Sequence, residues 1–75
     1  MSSIEVRGIE FKSAGEAIQH VNADGRGEAI CVGNRYLVVE KAEAHRLEAE
    51  RVSFAYVHER EMPDGSWRIV TVPVN

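Results

Sequence analysis

The chain contains one cysteine, Cys31, so no internal disulfide can staple it. No window approaches the roughly 20 apolar residues that a membrane-spanning helix requires. The opening segment MSSIEVRG lacks the basic stretch and apolar run of a secretory leader. A lone thiol suits a reducing compartment, so the sequence predicts a soluble, cytoplasmic protein that does not engage a membrane. Basic clusters are also missing, because Arg7, Lys12, Arg26, Arg35, Lys41, Arg46, Arg51, Arg60 and Arg68 are spread singly through a chain of net charge -3. A nucleic-acid partner is thereby disfavoured, since displacing counterions from phosphates needs a basic stripe.

The motifs that announce chemistry are scarce too. There is no CxxC, no HExxH and no carboxylate-rich calcium loop, and DGRGEAICVG lacks the Gly-Lys-Ser/Thr ending of a phosphate loop and leads into a strand. His45 and Glu48 form a two-member H-x-x-E, too few ligands for a metal unless others arrive from elsewhere. Cys31 lies between Ile30 and Val32, in the setting of a small apolar core side chain rather than of an activated thiol. Without a paired acid and base, no catalytic residue is assigned, and no cofactor or metal is implied.

What remains is a foldable chain of 75 residues, 44% hydrophobic and 28% charged, which argues against disorder and allows one domain. A domain this small buries only about 60% of the surface of its unfolded chain, so a partner or self-association is a natural source of added stability.

The apolar alternation of Ile4 and Val6 resumes out of phase at Ile9 and Phe11, which predicts one strand bulged at Gly8. In SAGEAIQHVNADG, Ser13 and Glu16 form a capping box ahead of Ala14, Ala17, Ile18 and Val21 at helical spacing, and Asn22 to Gly25 supply the stop. Gly33-Asn34 predicts a two-residue hairpin that sets Val32 against Arg35 and Ile30 against Leu37. EKAEAHRLEAERV reads as a second helix with a thin apolar face of Ala44 and Leu47 and acidic-before-basic charge order. In MPDG, Pro63 and Gly65 predict a three-residue loop that pairs Arg60 with Arg68, His58 with Val70 and Phe54 with Val74.

The order is therefore β-α-β-β-α-β-β. It predicts an α+β fold with a mixed or antiparallel sheet of about five strands and two short helices on one face, an arrangement similar to the ferredoxin-like architecture with one added strand.

The stretch YVHERE gathers groups that could serve a site, yet side chains alternate along a strand, so Tyr56 and His58 share one face while Glu59 and Glu61 take the other. His58 is expected at the rim of the core. A ligand pocket would use His58, Tyr56 and His45. The other face of the last hairpin sets Val57, Trp67 and Ile69 among carboxylates, as an interface does. The leading expectation is a protein-interaction or structural module that self-associates through that face. The alternative is a small-molecule or metal-binding protein around His58.

Overall fold

The structure, a computed structural model, describes residues 5–74. Its elements are β1 (Ile9–Phe11), α1 (Ala14–Asp24), β2 (Glu28–Val32), β3 (Arg35–Val39), α2 (Lys41–Ala49), β4 (Phe54–Glu61) and β5 (Trp67–Val74). Local chemistry sets the boundaries. Ser13 caps α1 by accepting the Glu16 N–H at 3.2 Å, while the Glu16 carboxylate reaches back to the N–H of Lys12 rather than of Ser13 itself. Gly25, at φ 72°, ends the helix in the left-handed conformation and donates its N–H to the Val21 carbonyl. The Gly33-Asn34 and Pro63-Asp64-Gly65 turns produce the registers their residues predict, Ile30 with Leu37 and His58 with Val70 among them.

The strands form one antiparallel sheet in the order β1-β3-β2-β4-β5. The step from β1 through α1 to β2 passes over β3, and the step from β3 through α2 to β4 passes over β2. Both steps move the same way across the sheet but start from strands that run in opposite directions. With right-handed crossovers, that combination puts the helices on opposite faces. The two core clusters show this placement: α1 contributes Ala17 and Ile18 to a cluster with Ala29, Val38 and Val57, and α2 contributes Ala44 and Leu47 to a cluster with Ile30, Leu37, Val39 and Phe54. The expectation of both helices on one face is thus corrected. In a ferredoxin-like order the second crossover returns past β1, whereas here β4 lies beside β2.

Each face therefore has its own thin core, built from alternate residues of the same strands. Leu47 and Ile30 are fully buried on the α2 side, and burying a side chain of that size stabilises by about 1.5–3 kcal/mol.

The first strand is shorter than its alternation suggests. Ile4 lies outside the described residues, and Glu5 to Arg7 are not paired as strand. Gly8 marks a close approach instead of a bulge, since a Cβ there would stand 2.6 Å from the Val38 carbonyl oxygen and 2.7 Å from a Val39 methyl. The chain needs glycine to cross β3 at that height, and Val6 then packs onto the α2 cluster.

Candidate functional site

β4 and β5 are the longest strands, eight residues each, but β4 pairs with β2 only at Tyr56 and Ala55. The rest of the hairpin extends past the three-layered part, in a molecule measuring 45 × 24 × 21 Å. Its tip is well built. Gly65, at φ 86°, donates to the Met62 carbonyl, Met62 donates to the Ser66 carbonyl, and the Asp64 carboxylate accepts both the N–H and the hydroxyl of Ser66. Those two bonds hold the Asp64 carboxyl below its ordinary range.

The α1 side of this hairpin carries Trp67, Ile69 and Thr71 on β5, opposite Glu61, Glu59 and Val57 on β4. Val57 does not join an exposed surface: it is 3% exposed and packs in the α1 cluster with Ala17 and Ile18. That corrects its assignment to the interface, and the cause is the placement of α1 on this face. Trp67 and Ile69 lie beyond the helix and stay 62% and 46% exposed. Val72, on the opposite side of β5, is 51% exposed. A cleft of about 370 Å³ between α1 and the sheet is lined by Ile18 and Val21 of α1, by Ala29 and Val57 of the strands beneath, and by Trp67.

Backbone geometry adds a feature that side-chain patterning misses. The Met62–Ser66 pair is hydrogen-bonded at 2.7 Å, and bonded and non-bonded pairs alternate along an antiparallel ladder. Arg68, Val70 and Val72 therefore turn their N–H and C=O groups toward β4, while Trp67, Ile69 and Thr71 turn theirs outward. β5 is the terminal strand of the sheet, so this outward row has no partner strand among the described residues. Pro73 falls in the same row, where its missing N–H costs no bond to β4.

The residues of the alternative site are distributed differently. The Tyr56 hydroxyl donates to the Glu48 carboxylate of α2 at 2.8 Å. Burial, helped by that bond, pushes the Tyr56 hydroxyl up to about 12. The His58 ring stacks on Tyr56 with centroids 6.2 Å apart, but His58 is exposed rather than at a core rim, because α2 reaches no farther than Tyr56. His20 belongs to the other face, against Phe11, and His45 is exposed on α2. Among the described residues no three His, Cys, Asp or Glu side chains come together as a metal-holding group. Cys31 is half-buried and its thiol points to the Gly33 carbonyl at 3.3 Å.

A second, open cleft of about 680 Å³ is lined by Arg7, Arg26, Arg46, Asp24, Glu40 and Glu43, among others. Its charges are mixed and partly satisfied within the chain: Glu43 accepts from Arg46 and from the Arg7 N–H, and Arg46 also pairs with Glu50.

Comparison with protein-family models, with curated proteins and with solved structures finds no match. No helix among the described residues is long and apolar enough to cross a membrane.

Proposed function

We propose that this protein is a small interaction or structural module that self-associates through its C-terminal hairpin, with Trp67 and Ile69 as the contact residues. The observation that supports it is a large aromatic and an isoleucine held out of the core, side by side, on a strand that projects past the covering helix. An aromatic with an aliphatic neighbour and a carboxylate rim has the composition of an interface centre. The half-buried, unpaired Cys31 fits a cytoplasmic setting for such a module.

Light scattering coupled to size-exclusion chromatography tests the reading. Wild type is expected at twice the 8.4 kDa of one chain, and Trp67→Lys at the single-chain mass. A monomeric wild type, or a dimer indifferent to Trp67→Lys, would sink it.

A further inference from the structure

Edge strands of monomeric proteins are protected by charges, prolines, bulges or covering elements, because their unpaired backbone groups otherwise recruit another strand. β5 has little such protection. From Trp67 to Val74 it carries one charged residue, Arg68, and one proline, Pro73, its register with β4 runs without a bulge, and it ends the sheet.

We propose that β5 pairs antiparallel with β5 of a second copy about a two-fold axis at Ile69, which rests on the self-association proposed above. In this register Ile69 faces Ile69 of the partner subunit and Trp67 faces the partner's Thr71. Every outward N–H of the row then finds a carbonyl. Shifting the axis by one residue toward the C-terminus sets Trp67 against the partner's Pro73, which has no N–H to give. Shifting it the other way sets Thr71 against the partner's Gly65, in the turn.

Side chains agree with the choice. On the α1 face Trp67 of the partner subunit would lie over Thr71, whose inward neighbour is the buried Val57, so the partner's indole would cover the open side of the hairpin. On the opposite face Arg68 falls against the partner's Val70, and the strand's one charge meets no like charge. A two-fold pairing also closes on itself, whereas pairing with the opposite edge of the sheet would use the three residues of β1 and propagate without end.

Thr71→Pro tests the pairing. It removes an outward N–H as Pro73 does and spares the ladder to β4, while Thr71→Val keeps the N–H as a control. Thr71→Pro and Trp67→Lys are both expected to halve the molar mass, and Thr71→Val to leave it unchanged. In a Cys31→Ser background, Ile69→Cys is expected to form an intermolecular disulfide on mild oxidation, since directly opposed residues of a bonded pair lie about 5.5 Å apart, within disulfide reach.

A dimer that Trp67→Lys splits, that survives Thr71→Pro and that leaves Ile69→Cys unlinked overturns the edge pairing but keeps association through the hairpin face. A monomeric wild type, or a dimer that survives both substitutions, overturns both. If circular dichroism shows Thr71→Pro to be misfolded, the Ile69→Cys cross-link decides: a linked, folded dimer supports the register and an unlinked one overturns it.

Discussion

Arg51 holds a backbone φ of 57°, in the left-handed region where a side chain meets the following carbonyl. It is placed there by the end of α2: its N–H donates to the Glu48 carbonyl at 3.1 Å, and the N–H of Val52 donates to Leu47 at 3.0 Å. This is the paired closure that normally recruits glycine. Arg51→Gly is therefore expected to stabilise the fold by about 1 kcal/mol, seen as a higher urea midpoint at unchanged slope; no gain would mean that the arginine side chain contributes as much as the strain removes. Other terminating residues could be read from sequence because their chemistry is specific: Ser13 caps, and Gly25, Gly33 and Gly65 adopt positive φ. Arginine carries no such signal, so the αL position at Arg51 was invisible. His58 shows a different limit. Alternation assigned its face correctly, but whether a helix covers that part of the face is set by where α2 packs, which no local pattern in β4 encodes; α2 meets this strand through the Tyr56–Glu48 hydrogen bond.

Among the elements, the segment before β1 and the helix α2 are joined by polar bonds that centre on Glu43 and Arg46. Glu43 accepts the Arg7 N–H at 2.8 Å and the Arg46 guanidinium at 2.7 Å, and Arg46 also donates to the Glu5 carbonyl. The hydrogen bond from Arg46, followed by that from Arg7, lowers the Glu43 carboxyl from 4.5 to about 2. A carboxyl depressed in the folded state stabilises it fully above the unfolded value and loses that contribution as pH falls through the folded one. The urea-midpoint difference between wild type and Glu43→Gln is thus expected to be constant at neutral pH and to close between about 4.5 and about 2. A difference that persists at pH 2 would remove Glu43 as the link. The sequence showed the acidic start and basic end of this helix but not the tie to Arg7, which joins positions 36 residues apart. Helix and hairpin assignments otherwise matched, because periodicity and turn residues act locally. The bulge expected at Gly8 did not form, because the glycine answers to β3, a strand met later in the chain.

At the scale of the molecule, strand order decides what each helix covers, and nothing in the residues of a single strand states its neighbours. Ile30 and Ala29 are neighbours in β2 and both are buried, yet they serve different cores on opposite sides of one sheet. That separation has an energetic signature. Ile18 under α1 and Leu47 under α2 belong to separate clusters with no residue in common, and mutations at sites without shared partners add within about 0.3–0.5 kcal/mol. Ile30 and Leu47 belong to one cluster, where a cavity at one site alters the packing of the other and coupling of about 0.5 kcal/mol or more is the rule. Two double-mutant cycles therefore distinguish the arrangements, Ile18→Val with Leu47→Ala and Ile30→Val with Leu47→Ala, read by urea denaturation. Ile→Val costs about 0.5–1.5 kcal/mol and Leu→Ala about 2–5 kcal/mol, so the cycles should be run in a stabilising buffer, given a total of roughly 0.05–0.15 kcal/mol per residue. The first cycle is expected to close additively and the second to leave a residual. Coupling between Ile18 and Leu47 equal to that between Ile30 and Leu47 would mean that both helices share a core, and with it the hairpin face would lose the geometry that leaves Trp67 and Ile69 uncovered.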